Sequence, residues 1–357
     1  MKSEIGSDFW DYPVEECESN FKVDGLPSSF EYTYTISGRS AICTVLCQEG
    51  LNNTTVLLPY FTCDTITEVF IKAGCRIVRY KVNRNLTCNV DDIFNCINSY
   101  NPKIVFLQDY FGFETLNSIQ AVVDEIHKNN GIVITDLTHS LFSRFKKNIS
   151  DIYVMSLRKF FAIPCGGVIV SPKKYNTTVS SELQKIDELS FKAFAHKKDY
   201  IFEKTQLGKS YYLTEYKMLH SCISMISQLS ISKAGQEVIK QVDKNKLGII
   251  RRRNYNYLRN ILKDNNHIET IMGEATNLVT PLFFPIYVKN GMRDRLKSFL
   301  ISNDVYTPVI WPKDRFLDVS DSDGDFIYDN ILCIPCDQRY DLNDMQRIIN
   351  LIEVFYG

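Results

Sequence analysis

The chain has 357 residues, enough for one large and one small domain. Hydrophobic residues make up 45% and charged residues 23%, which is ordinary globular composition. The formal net charge is -1, so no basic balance points to nucleic acid or to an anionic membrane surface.

The opening MKSEIGSDFWDY lacks the apolar core of an export signal, and no apolar run approaches the length of a membrane span. Eleven cysteines without such a signal read as reduced thiols. The expectation is a cytoplasmic protein with no membrane or nucleic-acid partner. Residues 1–35 are polar, rich in aromatics and irregular, and are expected to form an arm.

From there strands and helices alternate. The segment Ser37-Gly38-Arg39-Ser40 precedes a helix running through Val45 to Gln48. Residues 55–58 (TVLL) read as a strand stopped by Pro59, 65–73 as a helix and 76–82 as a strand. Residues 103–107 (KIVFL) and 131–135 (GIVIT) are buried-strand patterns. Between them, 118–128 place Ile119, Val122, Val123 and Ile126 on one helical face. Residues 151–155 and 167–171 add two more strands. This order implies an α/β fold with a mostly parallel central sheet covered by helices.

From about residue 212 to 263 the pattern turns helical. Within it, Arg251, Arg252 and Arg253 read as a solvated helix face. A smaller α/β unit follows, with strands near 282–288 and 331–334 and helices near 292–303 and 342–355. The expected division is an arm over 1–35, a large domain over 36–240 and a small domain over 241–357. Cys333 and Cys336 have C-x-x-C spacing but lack a second ligand pair, so they read as buried apolar residues and no metal is expected.

In an open α/β sheet, ligands bind at the carboxyl ends of the strands, and three candidate groups lie at such positions. Asp136 follows the GIVIT strand. Lys159 sits among Phe160, Phe161, Ala162 and Ile163, where poor solvation would lower its pKa as an imine-forming lysine requires. Gly166 and Gly167 after it would let backbone approach a ligand. Gly38 before a helix start offers free N–H groups to an anion. Each has a plainer reading alone: a helix cap, a lysine reaching to solvent, a turn. Together they match pyridoxal phosphate (PLP), which needs a lysine, a carboxylate for its ring nitrogen and a phosphate cradle.

Several spaced segments then resemble the DegT/DnrJ/StrS sugar aminotransferases, PLP enzymes of fold type I in the aspartate aminotransferase superfamily. They are GRSAI from Gly38, the turn Pro59-Tyr60-Phe61-Thr62, Asp109-Tyr110-Phe111-Gly112, and Asp136-Leu137-Thr138-His139-Ser140. Lys159 stands seven residues before Gly166, and Leu207 to Glu215, Leu332 to Pro335 and Asp344 to Arg347 continue the likeness. The resemblance implies that Lys159 holds PLP and moves the proton, Asp136 pairs with the ring nitrogen and His139 approaches the ring 3-oxygen. It implies phosphate contacts from Gly38, Arg39, Ser40 and Ser156. Ser210 stands where the family has an asparagine reaching the phosphate across a homodimer. The implied reaction moves an amino group, with glutamate as donor, to a keto-sugar carried on a nucleotide.

The chain departs from that pattern at Cys63, Cys165, Ser210 and Tyr212. These departures leave room for a PLP enzyme with another substrate or reaction, and for a non-catalytic regulator of the same fold. Arg339 and residues 306–311 are left without a role.

Overall fold

The computed structural model describes residues 4–10, 21–116, 119–147, 150–224 and 227–357. It begins with β1 (Ile5–Gly6), β2 (Glu31–Thr35), α1 (Gly38–Gln48), β3 (Thr55–Pro59), α2 (Asp64–Lys72) and β4 (Arg76–Tyr80). Next come α3 (Val90–Tyr100), β5 (Ile104–Gln108), α4 (Gln120–Lys128), β6 (Ile132–Asp136), β7 (Ile152–Ser156) and β8 (Gly167–Ser171). A helical stretch holds α5 (Glu182–Ile201), α6 (Lys209–Ile223), α7 (Lys233–Lys240) and α8 (Lys244–Leu262). The last part contains β9 (Ile268–Thr270), β10 (Phe284–Val288), α9 (Arg293–Ser302), β11 (Val305–Tyr306), α10 (Ser322–Asn330), β12 (Ile331–Ile334) and α11 (Leu342–Tyr356).

Seven strands form the main sheet in the order β2-β8-β7-β6-β5-β3-β4. Pairing is parallel from β7 to β4, and β8 and β2 join antiparallel at the other edge. The continuous apolar runs follow from burial on both faces. Val56, Leu58, Ile104, Phe106 and Ile134 pack with Ala41 and Val45 of α1 and Val69 of α2. Their alternates Leu57, Val105, Leu107 and Val133 face Ile93, Ile97, Val122 and Ile126 on α3 and α4. A second, antiparallel sheet, β12-β10-β9, packs with α8.

Two expectations change here. Glu31–Thr35, assigned to the arm, is an edge strand paired with β8 in register Glu31 to Ser171. Much of the rest of that arm, residues 1–3 and 11–20, and Ser118 of the expected 118–128 helix lie outside the described residues. Arg251, expected on a solvated face, is fully buried. Its guanidinium donates to the Pro281, Leu282 and Phe160 carbonyls and to Gln338 Oε1, which together satisfy a charge that would otherwise be costly to bury. Cys333 and Cys336 are completely buried in the core, as the apolar reading had them.

Gly167 is required by a backbone contact. A Cβ there would lie 2.2 Å from the Ser37 carbonyl carbon and oxygen. The expected role of the glycine pair, close approach to a ligand, is therefore replaced: Gly167 seats the residue that caps α1 against the sheet. Gly167→Ala is expected to lower stability by about 2 kcal/mol or more, measured as an earlier urea midpoint, because rigid backbone would have to move.

Candidate active site

Strands β4 and β5 lie on opposite sides of β3, so the strand order reverses there. Outside the carboxyl ends of such strands a crevice opens. Here it is a cavity of about 690 Å³, ordinary for a small-molecule site. Gln108, Asp136 and Ser156 end β5, β6 and β7 and line it, together with the first turn of α1 and residues 306–311.

Asp136 is 5% exposed, and its Oδ1 accepts from the Thr138 amide at 2.7 Å. Burial pushes its carboxyl up to about 6, against the Thr138 hydrogen bonds and the charge of Lys159. A carboxylate so poor in water favours any cation that reaches it.

Lys159 ends the single 3-10 turn that follows β7. Its Nζ has no hydrogen-bond partner among the described residues, and its side chain is open to the cavity while protein encloses it. Burial pushes the ammonium down, and the Cys63 thiol is the first opposing influence. The expected source of that desolvation is corrected. Phe160, Phe161 and Ile163 turn into the core with Leu157 and Phe142, and the cavity walls themselves enclose the amine. The loop is held from behind: the Phe160 carbonyl accepts from Gln338 Nε2 at 2.7 Å and Arg251 Nη2 at 3.2 Å.

His139 stacks on Trp311, centroids 5.1 Å apart and planes at 20°. Its Nδ1 accepts from the Phe111 amide at 3.2 Å, which leaves the proton on Nε2. Burial, and after it Lys159, push its pKa down to about 3, so the ring is a neutral donor at physiological pH.

Ser37 caps α1, accepting from the Ser40 amide at 3.2 Å. Gly38, Arg39 and Ser156 line the cavity, and Arg39 Nη2 is steadied by Ser224 Oγ at 2.9 Å. Ser40 does not line it. Its amide and hydroxyl both face Ser37 Oγ, so it completes the helix cap instead of touching the cavity. Ser210 also lies outside, exposed near the start of α6. Cys63 reaches the cavity, whereas Cys165 is buried against Ser232 and Tyr212 among Tyr200 and Tyr216.

Several lining residues carried no role in the sequence reading. Arg158 precedes Lys159, is enclosed, and its buried Nε has no partner in the structure. Trp311, Arg339 and Asp8 also face in. Adjacency to Lys159 was an available signal for Arg158; Asp8 belongs to no motif.

The donor set fits PLP: an unpartnered amine, a desolvated carboxylate, a neutral imidazole N–H and a helix N-terminus open into one space. Among the described residues no group of His, Cys, Asp and Glu is arranged to hold a metal ion.

No family model matches this chain, and no curated protein does. Solved structures do. A DegT DnrJ EryC1 StrS aminotransferase from Brucella abortus shares 16% identity over 92% of this chain and 86% of its own, with TM-score 0.65. Helicobacter pylori PseC, an aminotransferase involved in the biosynthesis of pseudoaminic acid, shares 13% over 97% and 98%, with TM-score 0.65. The 3-amino-5-hydroxybenzoic acid synthase shares 12% over 90% and 85%, with TM-score 0.63. The chain thus has the fold of these aminotransferases, as expected from the motifs.

The Asp136 carboxyl gives a pH test on the cofactor-free protein. Its folded pKa of about 6 lies above the ordinary 3.8, so folding disfavours ionisation. Stability is lost as pH rises through about 6 and is fully retained below about 4. Asp136→Asn removes that loss. Between about pH 4 and pH 7, the stability of the variant relative to the parent should rise by on the order of 3 kcal/mol, read from paired urea denaturations. A difference independent of pH would contradict the burial account.

Proposed function

We propose that the chain is a PLP-dependent aminotransferase that moves an amino group from glutamate to a keto-sugar carried on a nucleotide. The observation that carries this reading is the opening of Lys159 and Asp136 into one cavity beside the N-terminus of α1. When bound, PLP supplies an aldehyde that captures amines and a ring that stabilises the electron pair left when a proton departs from carbon.

The protein's part follows from its residues. Asp136 holds the proton of the ring nitrogen, because its desolvated carboxylate has most to gain from a cationic N–H. Lys159 would anchor the cofactor and would serve as the group that takes up and returns the proton. Burial pushes its ammonium down, in the direction of the basic form that proton uptake requires. His139, whose Nδ1 is taken by the Phe111 amide, would offer its Nε2 proton to the ring 3-oxygen. Gly38 and Arg39 bind the phosphate through the helix terminus and a guanidinium, and Ser156 adds its hydroxyl.

The division near residue 240 belongs to the same proposal. Lys159 and Asp136 come from the large part, and Trp311 and Arg339 from the small one. We also propose a cytoplasmic homodimer. Tyr211, Leu213 and Met218 on α6 are 43%, 46% and 55% exposed beside Ser210, and a second copy packed there would give Ser210 a place facing the partner's phosphate. A second reading, a PLP enzyme with another acceptor, is favoured by Cys63, which stands where the family places a ring over the cofactor.

Borohydride reduction followed by peptide mass spectrometry is expected to find the cofactor on Lys159, and Lys159→Ala to abolish the absorbance band near about 410–430 nm. A colourless protein with no adduct would favour a non-catalytic role. Asp136→Asn is expected to retain PLP while turnover falls by several orders of magnitude. Near-normal turnover in a transaminase assay would remove Asp136 from the mechanism.

A further inference from the structure

Residues 5–9 are held by side chains from distant parts of the chain. β1 pairs in parallel with β11, and Tyr340 OH receives the Gly6 amide at 2.7 Å. Ser7 then enters the left-handed region at φ 65, which turns the chain away from the strand direction. Arg339 donates to the Asp8 and Ser7 carbonyls, each at 3.2 Å. That guanidinium is itself fixed by Asp337 through two bonds of 2.8 Å, and the Phe9 ring lies 4.2 Å from it. Lys197, almost fully buried, donates to Ser7 Oγ at 2.7 Å and to the Asp8 carbonyl. Tyr216 OH reaches the Phe9 carbonyl at 2.6 Å.

These contacts fix backbone and leave one side chain for another use. Asp8 lines the cavity, is 47% exposed, and has one ion-pair contact among the described residues, His220 Nε2 at 3.5 Å. The other carboxylates lining the cavity are committed. Asp337 is locked to Arg339, and Asp136 accepts from Thr138 and faces Lys159. Asp8 is left with open acceptor capacity in the cavity wall. A carboxylate only accepts, so it recognises groups that donate: hydroxyls or an ammonium, and not another anion.

We propose that Asp8 is a specificity-determining residue that accepts hydrogen bonds from hydroxyl groups of the acceptor, and that residues 6–9 form a wall of the substrate site. This rests on the keto-sugar reading above and deepens it: the acceptor is recognised as a polyhydroxylated molecule by the segment that follows β1 in the same chain. Arg339 and Lys197 are positioning residues for that wall. Lys197 lies outside the cavity and acts only through the Ser7 and Asp8 backbone.

The test uses the PLP-loaded full chain with glutamate as donor and a thymidine-diphospho-4-keto-6-deoxyhexose as the probe acceptor. Asp8→Ala and Asp8→Asn are expected to raise the acceptor KM by about 10- to 100-fold, the range for a lost hydrogen bond to a charged group. The fall in kcat is expected to stay within about threefold and the visible cofactor band to be retained, because no reacting atom is touched. Lys197→Met should raise KM in the same direction, and combining it with Asp8→Ala should add little, since both remove one contact. An unchanged KM in both Asp8 variants overturns the proposal. So does loss of the cofactor band in Asp8→Asn, which would place Asp8 at the cofactor. A wild type that forms the Lys159 adduct and accepts amino groups from glutamate, yet turns over neither this probe nor free keto-sugars, overturns the keto-sugar reading itself and the proposal with it.

Discussion

The site depends on two titratable groups that open into one cavity from neighbouring strand ends, the buried Asp136 carboxyl and the Lys159 amine. Asp136 is fixed at the end of β6 by the parallel pairing of β5, β6 and β7. Lys159 is fixed on the turn after β7, whose carbonyl neighbour is held by Arg251 and Gln338. Each group is destabilised as an ion by burial, and each would gain from a ligand that supplies what it lacks. Folding therefore builds into the cavity a preference for a molecule with a cationic nitrogen on one side and an electrophilic carbon on the other. His139, held neutral between Phe111 and Trp311, adds a donor without adding charge.

Most of the large sheet was legible in the sequence because its signals are local. TVLL, KIVFL and GIVIT are continuous apolar runs, and such runs are what a strand covered on both faces looks like. α3, α5 and α10 were not announced. α5 has its buried positions, Leu183, Ile186, Ala193 and Phe194, spread among many lysines and glutamates, so the apolar stripe is thin. β1 and β2 were read as arm because β1 has only two residues and β2, EYTYT, has no continuous apolar run. Their identity comes from partners at Val305 and Ser171, far away in the chain.

The cavity-facing positions of Asp136, Lys159, His139, Gly38, Arg39 and Ser156 were legible from motif order. Ser40 lies behind the cavity wall at the helix cap, because a motif gives position along the chain and not the direction of a side chain. Arg251 shows the same limit. Three consecutive arginines on a helix look solvated until the acceptors for one of them, Phe160, Pro281, Leu282 and Gln338, are brought from elsewhere by tertiary packing. Asp8 and Trp311 became visible as wall residues only when the chain closed around the space.

The Arg251 contacts have a mechanical consequence. One guanidinium on α8 grips the Phe160 carbonyl beside the reactive lysine and also the Pro281 and Leu282 carbonyls leading into β10. The lysine turn and the root of the small sheet are thereby bolted at a single rivet. Loss of that one guanidinium would therefore slacken the lysine turn and the approach to the small sheet together, although the two lie far apart in the chain.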